Sequence, residues 1–182
     1  MSSSGFRHIG RRHVGDLWFL KLTMLDVETP TGDVVERVAI EHPGAVAVVA
    51  VDGDDIVLID QYRAPADDSL LEIPAGKLDH PNEDPATTAR REVEEEVGLV
   101  PGELVHLTTI WTSVGFTDER IAIYYSSDLA PGVRSPVGAE EVASEIVRMP
   151  FDEAHRLVAS GAITDAKTVV GILMAANHRA AP

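Results

Sequence analysis

The sequence predicts an α+β fold: a mixed α and β domain with a small antiparallel β-rich piece ahead of it. Three features point there. Asp16 to Val27 and Val34 to Ile40 mix apolar and polar residues on either side of Thr29-Pro30-Thr31-Gly32, the pattern of a β-hairpin. Ala45 to Val51 is an unbroken apolar run of strand length, as in a strand buried on both faces. Asp84 to Gly98 carries the clearest helix signals in the chain.

The remaining elements follow in order. After Asp52-Gly53-Asp54-Asp55, Ile56 to Ile59 pairs with the buried run, and Leu70 to Ile73 forms another strand, ended by Pro74-Ala75-Gly76. In the helix, Asp84 suits the N-cap, Pro85 the first helical position and Gly98 the position just past the end. Strands are expected near Leu104 to Trp111, Arg120 to Tyr125 and Glu145 to Met149. Helices are expected near Phe151 to Ala159 and Thr164 to His178. Pro131 to Glu141, rich in Gly, Pro and acid, reads as a loop. The β-rich piece is assigned to residues 1–43 and the main domain to 44–182.

Composition narrows the function. The 182 residues carry a net charge of −15, which disfavours nucleic acid and anionic membranes as partners, because both are held largely by Lys and Arg. Such a surface also repels phosphorylated small molecules unless a bound cation neutralises the site. There is no cysteine, so thiolate metal sites and disulfides are excluded. No apolar run reaches the ~20 residues that span a bilayer. Met1-Ser2-Ser3-Ser4-Gly5 lacks the basic-then-apolar pattern of a signal peptide, and a cytoplasmic location is expected. The seven histidines show no metal-ligand spacing and are expected at the surface. No G-x-S-x-G, P-loop or Rossmann fingerprint is present.

The chemistry points to the Asp84–Gly98 helix. At about 100° per residue, Ala86, Ala89, Val93 and Val97 fall on one stripe that should pack on the sheet. Glu92 and Glu96, four apart, stack at its edge, with Glu95 one step further round and Arg91 and Glu94 turned to water. Stacked like charges cost a helix about 0.2–0.5 kcal/mol per pair. A shared hard cation would convert that repulsion into coordination, which makes Glu92 and Glu96 the candidate metal ligands. A solvated acidic face is the alternative.

The stretch Gly76 to Leu99 resembles the Nudix box: Gly76, then Glu83, then Arg91-Glu92-Val93-Glu94-Glu95-Glu96-Val97-Gly98-Leu99. The box normally has five residues between its first glycine and first glutamate, whereas six lie between Gly76 and Glu83; the extra one falls in His80-Pro81-Asn82. Beyond the box the chain is similar to the ADP-ribose pyrophosphatase branch, through Gln61-Tyr62-Arg63, Leu71-Glu72-Ile73-Pro74-Ala75-Gly76 and Ser113-Val114-Gly115-Phe116-Thr117-Asp118-Glu119.

That resemblance implies an α/β/α sandwich with a mixed sheet, and an N-terminal β subdomain exchanged across a homodimer. It implies Mg²⁺-dependent hydrolysis of ADP-ribose to AMP and ribose 5-phosphate, with Mn²⁺ able to substitute. The Ala75 carbonyl and Glu95 would join Glu92 and Glu96 around the metal, Glu95 through a shared metal or a bridging water. Arg91 would orient the glutamates. The general base would be Glu140 or Glu141, Glu140 being slightly preferred. Arg63 and Glu72 either contact substrate or pair with each other. Ser113 and Gly115 form a turn that either faces substrate or is ordinary. Trp18 and Phe19 either stack on adenine or pack in a core. Other nucleoside-diphosphate sugars, such as ADP-glucose or GDP-mannose, and a non-hydrolysing ADP-ribose sensor are the rival readings.

Overall fold

Every residue of Ala45 to Val51 is buried in the computed structural model, which describes residues 4–78, 80 and 83–181. The extra box residue expected in His80-Pro81-Asn82 involves Pro81 and Asn82, which lie outside the described residues. The chain divides into two compact units. One is the segment up to Gly44 together with Trp111–Arg120; the other is Ala45–Ile110 with the segment from Ile121 onward.

The first unit is an antiparallel sheet of β1 (Arg7–Leu17), β2 (Leu20–Glu28) and β3 (Val34–Glu41), in that order. The sequence indicated one hairpin. The structure adds β1 and splits the Asp16–Val27 stretch at Trp18-Phe19, where Trp18 takes a left-handed φ of 65°. The Thr29–Gly32 turn appears where expected, with Gly32 at φ 87°, a conformation open to residues without a Cβ. Segment Trp111–Arg120 belongs to this unit because backbone ties it to β3. Ile40 N–H donates to Phe116 O at 2.7 Å and Asp118 N–H donates to Ile40 O at 3.3 Å. A single cut after residue 43 could not anticipate that excursion. Two histidines depart from the surface expectation: His155 is half-buried, and His42, its side chain only 10% exposed, accepts from Gly44 N–H and lies against Phe19 and Glu119.

The second unit contains β4 (Ala45–Asp52), β5 (Asp55–Arg63), β6 (Asp68–Glu72), β7 (Ala75–Lys77), α1 (Pro85–Val97) and β8 (Leu99–Pro101). It continues through β9 (Val105–Trp111), β10 (Arg120–Ser126), β11 (Leu129–Pro131), α2 (Ala139–Ala143), β12 (Glu145–Pro150), α3 (Phe151–Ser160) and α4 (Ala166–Ala180). Its main sheet runs β12-β5-β4-β10-β9, with β6 on β5 and β7 on β4. β10 is parallel to β4, Ile121 opposite Ala45, while β5 and β7 are antiparallel to it, so the sheet is mixed as predicted.

Alternation along β4 builds two cores. Val46, Val48 and Ala50 meet Ala89, Val93 and Val97 of α1. Ala47, Val49 and Val51 meet Phe151 and Ala154 of α3 and Ile172 and Ala175 of α4. Helices therefore cover both faces, and β4 at the centre is apolar throughout for that reason. Helix α1 begins and ends where its sequence signals lie. Asp84 holds the N-cap, though its side chain makes no capping hydrogen bond; Gly98 closes the helix at φ 68°, donating to Glu94 O at 2.9 Å. The acidic Pro131–Glu141 stretch, expected as loop, contains the end of β11 and the start of α2.

Ile123 is fully buried in the α3/α4 core. Ile123→Ala is expected to lower the unfolding free energy by about 2–5 kcal/mol, measured by urea denaturation.

Candidate active site

Packing of Ala89, Val93 and Val97 into the sheet carries the neighbouring glutamates of α1 to the β6–β7 segment. A Cβ placed on Gly76 would fall on the Glu92 carboxyl group, so only glycine lets that side chain lie across the strand. One turn further on, Glu96 is 5% exposed and its Oε2 accepts from Ala75 N–H at 2.9 Å. Burial, aided by the charges of Glu92 and Glu141 and opposed by the Ala75 N–H and Lys167, pushes the Glu96 carboxyl up to about 8. Glu92 and Glu96 thus share the sheet-facing edge that the helical wheel indicated.

Arg91 and Glu94 do not turn to water. The Arg91 guanidinium sits 2.9 Å from Glu92, 3.2 Å from Glu95 and 3.7 Å from Glu83, so it holds the acidic cluster together. Glu94 approaches Val133 N–H at 3.5 Å. The wheel fixed their angles correctly, but tertiary partners converted an outward face into a half-buried one.

Arg63 and Glu72 form the pair that one reading anticipated. Arg63 donates from Nε at 2.7 Å and from Nη2 at 2.6 Å to the two carboxylate oxygens. Glu72 is 1% exposed and also accepts from Lys167 Nζ. Burial alone would raise its pKa, but the guanidinium and the ammonium outweigh it and hold the carboxyl below its usual value.

The two loop glutamates differ. Glu140 is exposed, whereas the Glu141 side chain accepts from Val137 N–H at 2.9 Å and Gly138 N–H at 3.2 Å, and its charge is felt at Glu96. Arg134 ties this segment to the end of α1. It donates to Glu96 O at 2.7 Å, Glu141 O at 2.9 Å and Ser144 O at 3.0 Å. Sequence reading passed over Arg134, Asp165, Lys167 and Thr168. The only signals were a lone cation in an acidic loop and an Asp-x-x-Thr capping pattern.

Trp18, Ser113 and Gly115 belong to the first unit. Trp18 is 98% exposed, so within this chain it packs in no core. Ser113 O accepts from Phe116 N–H and Thr117 N–H, which makes residues 113–117 a tight turn with Ser113 and Gly115 exposed.

The donor set of the second unit is all oxygen, as a hard cation requires. Among the described residues no three His, Asp or Glu side chains already converge as a complete ligand set. What fits a cation is the excess of negative charge: a desolvated carboxyl beside a second one, relieved by proton uptake when no cation is bound.

That proton uptake has a sign. Glu96 titrates near 4.5 when unfolded and near 8 when folded, so its penalty is absent below pH 4.5, grows between the two values and is complete above 8. In EDTA, the thermal midpoint of the wild type should fall relative to Glu96→Gln as pH rises from 5 to 8. Parallel curves would contradict the burial effect.

Comparison with known proteins fits this geometry. The NUDIX domain model matches residues 41–169. A methanol dehydrogenase activator of Bacillus methanolicus is 39% identical over 84% of this chain and 83% of its own. An ADP-ribose pyrophosphatase of Bacillus subtilis (strain 168) is 38% identical over the same shares. Among solved structures, an ADP compounds hydrolase superposes with TM-score 0.83 over 97% of this chain and 95% of its own; at 21% identity it speaks for the fold. With the family model spanning β4 to the first turn of α4, and with relatives 38–39% identical over 84% of its length, the chain belongs to the NUDIX family.

Proposed function

We propose that this protein hydrolyses the pyrophosphate bond of ADP-ribose, producing AMP and ribose 5-phosphate, with Mg²⁺ as its cation and Mn²⁺ able to replace it. The observation that carries this is the buried Glu96 carboxyl, 5% exposed, held on the Ala75 N–H at 2.9 Å and within the field of Glu92. The ADP-ribose pyrophosphatase relative supplies the substrate.

Glu92, Glu96, Glu95 and the Ala75 carbonyl would hold the metal, with Arg91 orienting the acids. When bound, the ion would neutralise diphosphate charge, polarise a phosphoryl oxygen and make a bound water more acidic. Between the two loop acids we favour Glu141 as the base, since its charge reaches Glu96 while Glu140 is exposed. It would take the proton as water oxygen attacks phosphorus and the bridging P–O bond breaks. Arg63, held by Glu72, would meet substrate phosphate with the rest of its guanidinium. Ser113 and Gly115 would contact substrate through their turn, and Trp18 would stack on adenine.

A homodimer belongs to this proposal. Phe6, Ile9, Val14, Leu17 and Trp18 of the first unit are all exposed, an apolar surface suited to a second copy of the chain. The net charge of −15 disfavours nucleic acid, and among the described residues no helix is long and apolar enough to cross a membrane. A cytoplasmic location is retained in this reading.

Mg²⁺-dependent release of AMP from ADP-ribose, abolished by EDTA, is the direct test; its absence in a folded, Mg²⁺-binding protein would leave the sensor reading. Ratios of kcat/KM across ADP-ribose, ADP-glucose and GDP-mannose rank the substrates. Glu96→Gln should lower kcat by about two orders of magnitude. Glu141→Gln should lower kcat by about 10²–10⁴-fold with Mg²⁺ affinity preserved; a loss confined to Mg²⁺ affinity would make Glu141 a ligand instead. Gly76→Ala, by displacing Glu92, should weaken Mg²⁺ binding about 10–100-fold in calorimetry.

A further inference from the structure

We infer that the first turn of α4 is a positioning device for the segment Glu72–Ala75, with Thr168 acting through Ile73 on the metal-facing backbone and Lys167 acting through Glu72 on Arg63. The inference rests on the metal and substrate assignments proposed above.

The observation is a closed circuit of buried polar contacts. Ile73 N–H donates to Thr168 Oγ1 at 2.9 Å, and that hydroxyl donates to Asp165 Oδ2 at 2.6 Å. Asp165 Oδ2 also accepts from Thr168 N–H at 3.0 Å, capping α4, and lies 3.1 Å from Lys167 Nζ. Lys167 Nζ in turn donates to Glu72, the residue before Ile73, so the ring closes across one peptide bond. Ile73 and Thr168 are fully buried, Glu72 is 1% exposed and Lys167 9%.

Two further contacts extend the grip. Val48 N–H donates to Pro74 O at 2.9 Å, and Ala75 N–H donates to Glu96 at 2.9 Å. Each of the four residues from Glu72 to Ala75 is thus held by a different partner, and the last carries the carbonyl assigned to the cation. Thr168 satisfies a buried N–H, but stability does not account for the ion pair. A buried ion pair seldom outperforms apolar residues of similar volume, and Asp165 caps α4 without any help from Lys167. What the circuit adds is orientation. Glu72 engages Arg63 through Nε and Nη2, so a Glu72 carboxylate turned by Lys167 sets the direction of the remaining guanidinium edge.

The two arms separate by experiment. Thr168→Val removes the acceptor for Ile73 N–H at nearly constant volume. It should weaken Mg²⁺ binding about 10-fold in calorimetry while KM for ADP-ribose at saturating Mg²⁺ stays at the wild-type value. Thr168→Ser, which keeps the hydroxyl, should restore Mg²⁺ binding. Lys167→Met should raise KM about 10-fold at saturating Mg²⁺, with partial recovery in Lys167→Arg. If Thr168→Val lowers only the thermal midpoint, with Mg²⁺ affinity and KM as in the wild type, the turn is a helix cap and the inference fails. Should Lys167→Met not fold, the Thr168 pair decides. A wild type that binds Mg²⁺ but leaves ADP-ribose intact would overturn the proposed function, while Mg²⁺ calorimetry on the Thr168 variants still decides the inference.

Discussion

The site depends on one close approach: the carboxyl group of Glu92 lies where a side chain on residue 76 would be. With it, α1 seats its Ala89–Val93–Val97 stripe against β4, holds Glu96 over the Ala75 N–H and lays the Glu92 carboxyl across Gly76. Apolar packing provides the force, since Ala89 and Val93 are fully buried, and glycine provides the clearance. The result is a carboxyl whose burial is costly in the absence of a counter-charge. A fold selected only for stability would place glutamine or an apolar residue at position 96. The chain keeps an acid there, and that mismatch between stability and residue choice marks the functional part of the molecule.

Charge is organised around that acid in layers. Arg91 binds the outer glutamates, Arg134 fastens the Glu141 segment to the end of α1, and Lys167 with Arg63 neutralises Glu72. These four cations each meet a carboxylate or carbonyl close to the cluster.

Much of the fold was legible because local and long-range signals agree in it. The unbroken run at Ala45–Val51 could be satisfied only by a strand covered on both faces, and the Pro85 and Gly98 punctuation marked α1 to the residue. The wheel correctly put Glu92 and Glu96 at the sheet-facing edge. It failed for Arg91 and Glu94 because a wheel knows the helix and not its neighbours; the segment around Val133 and the acids beside Arg91 are tertiary partners. Lys167 and Thr168 stayed hidden because they lie 95 residues from Glu72 and Ile73 in the chain, and no local pattern encodes that meeting. Strand β1 was missed because it is mostly exposed and lacks the apolar alternation that identifies strands in sequence.

The excursion of Trp111–Arg120 into the first unit has a consequence for how the protein can be taken apart. Because β3 carries the backbone partners of Phe116 and Asp118, a fragment beginning at Ala45 would retain that segment with the Ile40 end of its ladder gone. The two units are therefore not beads that recombination can swap with one crossover. A chimera respecting both would need three junctions, near residues 44, 110 and 121.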